Sequence, residues 1–447
     1  MEEGEKISLK KDLRKLAGPI FIETLLVMTM GAVDTFMLSQ YNDHAVAAVG
    51  VVNQLVMFSF LIFQIINMGT SVLCSQYIGA GMRRKMVQVT GVALILNLLF
   101  GIAVSAMLYF GAEWLLTLMG LRPELMQYGL PYMQIVGMFA FFQALHLTIS
   151  ASLRADHKAI YPMLVVIVVN IVNIGGNYGL IFGHFGLPAL GVEGAAIATA
   201  FSRGTAMVLL FIILFTKHIR SFPLQMFTPF PWEEVRKLLK IGMPSAGENM
   251  SYEMQQVVLT YFINQIGNDA LTTRTYVVNI VMFVYLFGIC MAQGGAISIG
   301  HLVGEHKPKA AYILGKFVMK WSVLVGFVLS VSIALFGDKI FPLLTDNANV
   351  IALGCTILFC DIMLEVGRTI NIYATTVLRA TGDVYFPFYL GVVIQWGVGV
   401  VFGYLFGLEW QWGLVGMWIA FALDENIRGA IFIWRWRSMK WAKKAFV

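Results

Sequence analysis

Charge is what this chain has least of: Asp, Glu, Lys and Arg make up 13% of its 447 residues, against 58% hydrophobic ones. With a mean hydropathy of +0.76, that balance excludes an ordinary soluble domain and places the chain in a membrane. Cysteine is scarce as well. Cys74, Cys290, Cys355 and Cys360 stand inside apolar stretches without a CxxC spacing. That excludes a disulfide framework and a zinc site, leaving them as small buried hydrophobes. No GxxxxGK[ST] loop occurs, so nucleotide hydrolysis by that route is excluded and any active transport draws on an ion gradient. No HExxH or DxxxD pattern occurs either, and the apolar-helix acids are scattered over helices one, seven and ten. This argues against a membrane-embedded enzyme with a divalent metal. The His residues do not cluster, and His146, inside an apolar span, reads as a satisfied core histidine.

Long apolar runs are abundant. Stretches near 15–38, 46–72, 88–112, 126–152, 160–183 and 190–215 reach the roughly 20 residues that a bilayer crossing needs. Six more follow near 239–264, 274–299, 311–336, 349–377, 384–407 and 412–434. The two halves also repeat one another in sequence. Pro19 and Glu23 recur as Pro244 and Glu248, Gly79 as Gly304, Leu153-Arg154-Ala155 as Leu378-Arg379-Ala380, and Pro162 as Pro387, each pair 225 residues apart, as in 244 − 19. A constant offset of this kind marks two fused repeats. The expected fold is an all-α membrane protein of about twelve transmembrane helices in two six-helix repeats, with a central cleft between them. Residues 1–216 form the N-lobe, 217–238 a linker and 239–447 the C-lobe. Six being even, the repeats enter the membrane from the same side.

Basic residues fix the expected orientation. Lys10, Lys11, Arg14 and Lys15, then Arg83-Arg84-Lys85, Lys217, Arg220, Arg236, Lys237, Lys240, Lys307, Lys309 and the C-terminal cluster from Arg435 to Lys444 lie on one set of connections. The other set offers little beyond Arg122, Arg274 and Lys339. Both termini are expected in the cytoplasm. The net charge of +6 is thereby a topology signal, because its residues are dispersed over helix ends and form no face for nucleic acid. The charged start precedes an apolar segment too long for a signal-peptide core, so it leads into the first spanning helix. In the linker, Pro223, Pro229 and Pro231 precede a basic amphipathic run from Trp232 to Leu239, read as an interfacial helix.

Ionisable groups inside spanning segments mark pathways or relays, because burying them there is costly. Glu23 and Asp34 share the first helix, 11 residues apart, hence within about 20° of one direction and about 16 Å apart along the axis. Pro19, one turn before Glu23, permits a bend beside the acid. Glu23 reads either as part of a functional cavity or as a structural ion pair, and Asp34 as functional or as an acid near the outer interface. Glu23 and Glu248 occupy equivalent repeat positions, where two carboxylates near one cleft would favour a shared proton or a cationic guest.

Pro19 to Asp34, Gln76-Tyr77-Ile78-Gly79-Ala80-Gly81, Leu153-Arg154-Ala155 and Gly194-Ala195-Ala196-Ile197-Ala198-Thr199 resemble the multidrug and toxic compound extrusion (MATE) transporters, over nearly the whole chain. The resemblance implies two six-helix lobes around a V-shaped cavity, in a secondary antiporter exporting lipophilic, usually cationic compounds in exchange for Na⁺ or H⁺. It implies a cation-coupling site of Asp34, Asn173, Asn177 and Thr199, whose hard oxygens suit Na⁺ or report protonation. Asn173 and Asn177 also read as helix-to-helix hydrogen-bonding glue. A substrate or proton cavity of Glu23, Glu248, Pro19, Gln143, Arg368 and Glu253 completes the expected site. No cofactor beyond the coupling ion is implied, and the partners are small lipophilic cations and membrane lipids. A monomer in a bacterial cytoplasmic membrane suffices.

Two departures from the family stand out. The second fifth-helix position is Asn177, as in the NorM branch, where the DinF branch has Asp. Where the NorM branch carries acids in the second half, this chain has Tyr252 and Arg368. Arg368 has candidate partners in Glu365 and in Glu248 or Glu253, although Glu253 lies about 140° around its helix from Glu248. The cluster reads as an ion-pair network or as a substrate or proton relay. A lipid or lipid-linked oligosaccharide flippase is the alternative function, ranked below export because such a headgroup calls for a strongly cationic cavity.

Overall fold

The computed structural model describes residues 3–219 and 221–447. Arg220 and the side chains of Lys10 and Lys11, part of the basic pattern above, lie outside the described residues. The first half contains α1 (Glu3–Ser39), α2 (Asp43–Gly79), α3 (Arg83–Phe110), α4 in two pieces (Pro123–Met138 and Ala140–Ala155) bent by 45°, α5 (Ile160–Phe182) and α6 (Val192–Ile213). The second contains α7 (Trp232–Ile266), α8 (Asn268–Gly304), α9 (Pro308–Leu335), α10 (Ala348–Ala380), α11 (Tyr385–Glu409) and α12 (Gly413–Arg437). Among the described residues there is no strand. A chain this apolar has to satisfy its backbone within each crossing, and the helix does so.

Ten of the twelve, counting the bent α4 as one, are long and apolar enough to span. The other two, α7 and α12, have 35 and 25 residues. Their length suffices, but Glu233 to Lys240 and the group Asp424, Glu425 and Arg428 lower their hydropathy. The protein is an integral membrane protein with these twelve long helices among its described residues.

The repeat holds at the level of single hydrogen bonds. Adding 225 to the bounds of α2, α3 and α4 gives 268–304, 308–335 and 348–380, the bounds of α8, α9 and α10. α2 ends with Met82 N–H donating to the Tyr77 carbonyl at 2.8 Å, and α8 ends with Lys307 N–H donating to Leu302 at 2.8 Å. Likewise Lys158 donates to Leu153 and Asp383 to Leu378, both at 3.0 Å. Each of these closures needs a left-handed residue inside it, at φ 72° in Gly81, 56° in His306, 55° in His157 and 98° in Gly382. Two of the four are histidines, each the repeat equivalent of a glycine (His306 of Gly81, His157 of Gly382), so the turn persists where glycine does not.

Packing divides the chain into two compact units: Gly18–Gly242, and Met243–Val447 with the stretch through Ala17. The division departs from the lobe limits expected from the sequence, because each repeat surrenders the start of its first helix. The run from Trp232 to Leu239, expected as a separate interfacial helix, is the first part of α7. Glycines let it lie against α2: a Cβ on Gly69 would come within 2.7 Å of the Leu238 carbonyl oxygen, and one on Gly242 would strike the Ile65 carbonyl. Buried Glu234 then accepts from Tyr77 Oη at 2.8 Å and Lys85 Nζ at 3.0 Å. The run is thus anchored through Glu234, while Arg236 and Lys240 stay exposed.

At the end of α4, Asp156 gathers Lys158 at 2.6 Å, His218 Nδ1 at 2.9 Å and Arg83 at 3.2 Å. The other His218 nitrogen shares a 2.9 Å hydrogen bond with Ser152. Burial alone would raise the Asp156 carboxyl, but hydrogen bonds from His218 and Lys158 and their charges outweigh it and hold it well below the usual carboxylate range. A depressed folded-state pKa stabilises above the unfolded value of about 3.9 and is lost as pH falls below it. Asp156→Asn is expected to cost about 1–3 kcal/mol at neutral pH, read by thermal unfolding in detergent. The difference from the parent chain is expected to shrink as the pH drops through the carboxylate range; a difference independent of pH would refute the charged role.

Candidate functional site

Three asparagines project from one face of α5, because positions 170, 173 and 177 are spaced by three and four residues. All three are buried. Asn170 donates to the Leu26 carbonyl at 2.9 Å, which ties α5 to the middle of α1. Asn177 donates to Asp34 Oδ1 at 2.5 Å and to Asn173 Oδ1 at 3.3 Å. Asp34 itself is half-buried. Thr199, on α6, is buried and faces Tyr132 of α4. One turn beyond Thr199, Arg203 interacts electrostatically with both Asp34 and Tyr132, and its guanidinium lies 5.3 Å from the Phe60 ring centre.

The first unit therefore assembles a carboxylate, two amides and, on α6, a hydroxyl and a guanidinium. Asn177 Oδ1 and Asn173 Nδ2 are buried without hydrogen-bond partners. An orphaned amide oxygen beside a carboxylate suits a small hard cation or a proton. Asn170, Tyr132 and Arg203 escaped the sequence reading. The signal for Asn170 and Arg203 was helical spacing from residues already chosen.

Glu23 and Glu248 are both buried. Each is paired inside its own unit: Arg154 Nη1 lies 3.0 Å from Glu23 Oε1, and Arg379 Nη2 lies 2.6 Å from Glu248 Oε2. These pairs are related by the 225-residue offset, so one ion pair is built twice. Neither acid is an unpaired charge, and the expectation of mutual repulsion gives way to separate neutralisation by the Leu-Arg-Ala arginines. Pro19 lies inside α1, and Gln143, the repeat counterpart of Arg368, is half-buried on α4. Glu253 is exposed, on a different face of α7 from buried Glu248.

Arg368 takes Glu365, one turn before it, as its partner. The alternative partner Glu248 is committed to Arg379 instead. The buried acids are not confined to helices one, seven and ten: α12 adds Asp424 and Glu425, both buried and both bound by Arg428.

The MatE family profile matches residues 19–179 and 244–405, one copy per repeat. The chain belongs to the MatE family. It is a membrane transporter of that family and not an enzyme. Among its relatives, an uncharacterized transporter, YisQ, of Bacillus subtilis is 40% identical over 97% of this chain and 95% of its own length. Multidrug resistance protein NorM of Vibrio vulnificus is 27% identical over 94% of this chain and 93% of its own. Multidrug resistance protein PmpM of Pseudomonas aeruginosa is 25% identical over 91% and 87%. The fold matches that of the Vibrio cholerae MATE transporter VcmN in its bent form, with a TM-score of 0.90 at 18% identity over 98% of both chains. An outward-facing multidrug resistance MATE transporter aligns with a TM-score of 0.87 at 21% identity over 97% of both.

The paired-carboxylate geometry is open to a double-mutant cycle. Glu23→Gln is expected to cost about 3–5 kcal/mol of stability, because it leaves the Arg154 charge without its partner, and Glu23→Gln with Arg154→Gln is expected to recover much of that loss. Glu248 and Arg379 are expected to behave in the same way. Strictly additive losses in thermal unfolding would contradict the pairing.

Proposed function

We propose that this MATE transporter is a secondary antiporter that exports lipophilic cationic compounds and takes H⁺ or Na⁺ in exchange. The observation that carries this reading is the 2.5 Å hydrogen bond between Asn177 and Asp34, with Asn173 one turn away. It sits inside a spanning helix of a chain whose relatives include proteins named for multidrug resistance.

The chemistry follows from the residues. With Asp34 ionised, the Asn177 N–H makes a charge-assisted bond that holds α5 to α1. A proton on Asp34, or a Na⁺ shared with the amide oxygens and Thr199, removes that charge and weakens the bond. Arg203 supplies a competing positive charge, so the site trades its counter-cation instead of holding a bare carboxylate. The ligand-free and ion-bound states thereby differ in how α1 and α5 are joined, which is what an ion needs in order to bias a conformational equilibrium. Substrate charge is assigned to Glu23 and Glu248, whose carboxylates a cationic guest shares with Arg154 and Arg379. The transporter works as a monomer in a bacterial cytoplasmic membrane with both termini inside, as its basic connections require.

Proteoliposomes loaded with ethidium and given either a Na⁺ or a pH gradient test the reading. Efflux driven by one gradient is expected, and Asp34→Asn is expected to abolish it while the protein stays folded. Undiminished efflux in Asp34→Asn would remove the coupling role. No dye movement under either gradient, with folded protein, would favour a lipid flippase.

A further inference from the structure

We propose that the second unit holds a proton-binding site of its own, formed by Asp361 and Glu365 of α10 beside Asp424 and Glu425 of α12. All four carboxyls are buried, and so are two guanidinium groups, those of Arg428 and most of Arg368. Arg428 binds Asp424 twice, at 2.7 and 3.0 Å, and lies 3.1 Å from Glu425. Asn371 donates to Glu425 at 2.6 Å and Gln255 to Asp424 at 3.1 Å. Arg368 binds Glu365, and the Trp418 indole donates to Asp361 at 2.9 Å.

Four acids therefore face two arginines, leaving two negative charges unbalanced. An unpaired carboxylate inside a spanning bundle is far costlier than a neutral carboxylic acid. The hydrogen bonding is incomplete in the same place. Asp361 Oδ2 and Glu365 Oε2 are buried without partners, and so is Oε1 of Gln255, an uncharged side chain from α7 that is only 1% exposed. These are three acceptors in need of donors, against one orphaned donor, Arg368 Nε. A protonated carboxyl supplies a donor and removes a charge in one step. The ligand we assign is a proton, because it alone turns an orphaned acceptor into a donor while cancelling a charge.

Other titratable groups facing the cluster leave the imbalance in place. Tyr252 of α7 and Tyr285 of α8 interact with Arg368, whose guanidinium lies 5.9 Å from the Tyr285 ring centre. Glu248 acts on Arg428 but is bound to Arg379, and Glu253 acts on Tyr285 from an exposed position. The site differs from the acid positions of the NorM branch, which here hold Tyr252 and Arg368. It is also separate from Asp34: the repeat counterparts of Asp34, Asn173 and Asn177 are Leu259, Val398 and Phe402.

Infrared spectroscopy of the full-length protein tests the assignment in an Asp34→Asn background, where the coupling acid contributes nothing. At neutral pH a carbonyl band of buried protonated carboxylic acid is expected, sensitive to deuteration and diminished in Asp361→Asn or Glu365→Gln. Isotope labelling of Asp or Glu carboxyls reads the same band without altering the cluster, should either variant fail to fold. Absence of the band, or a band from labelled acids that neither variant changes, would overturn the proposal. The proposal does not rest on dye export: a chain that moves no dye yet shows the band retains this site and loses only the antiport reading.

Discussion

A charge carried into the bilayer has to meet an opposite charge, a proton or a strong hydrogen bond, and the interior of this protein is arranged around that requirement. Glu23 with Arg154 and Glu248 with Arg379 meet it in the simplest way, once in each unit. Each pair joins the first helix of a repeat to the end of its fourth, so neutralising the acid and fixing the helix are one event. The acid and the arginine lie 131 positions apart in both halves. Neither could be replaced alone without stranding the other in a medium that cannot solvate it.

Where a pair is incomplete, chemistry becomes available. In the first unit a single carboxylate, Asp34, meets amides and a nearby guanidinium instead of a dedicated salt bridge. In the second unit the positions of Thr199 and Arg203 are taken by Asp424 and Arg428 and that of Asn170 by Gln395, while those of Asp34, Asn173 and Asn177 hold Leu259, Val398 and Phe402. The repeats have thus kept one backbone and diverged in their polar interiors. Helix bounds, turn hydrogen bonds and the Glu–Arg pair recur at the same offset. The side chains able to hold an ion do not.

Much of the fold was legible because it rests on properties that a sequence displays directly. Apolar run length places the crossings, and a constant offset exposes the repeat. Asp34 was legible because a carboxylate stands out against an apolar span, whereas Asn173 and Asn177 came into view through the resemblance to the MATE transporters. The α12 cluster was not, because Asp424, Glu425 and Arg428 at adjacent and i,i+4 positions look like a solvated helix face. Only tertiary packing against Asn371 and Gln255 shows that the face is buried. The Trp232–Leu239 run misled in the opposite sense. Its basic amphipathic pattern suits a membrane surface, yet Glu234 turns inward to Tyr77 and Lys85. Arg154 and Arg379 were seen only as markers of the repeat, although the shared offset with Glu23 and Glu248 already held their pairing.

The chain passes between the two compact units only twice, at Ala17–Gly18 and Gly242–Met243, and these crossings are themselves 225 residues apart. Both fall inside long helices, α1 and α7, and both are followed at once by a proline, Pro19 or Pro244. A proline within a helix removes a hydrogen bond to the preceding turn, and the backbone there bends at lower cost than elsewhere. The buried acid follows one turn later, at Glu23 and Glu248, held by an arginine of the unit the helix has just entered. Each crossing thus couples a weakened stretch of backbone to a fixed charge pair. The ion pair anchors the helix immediately beyond the proline, which confines the weakened stretch to that turn.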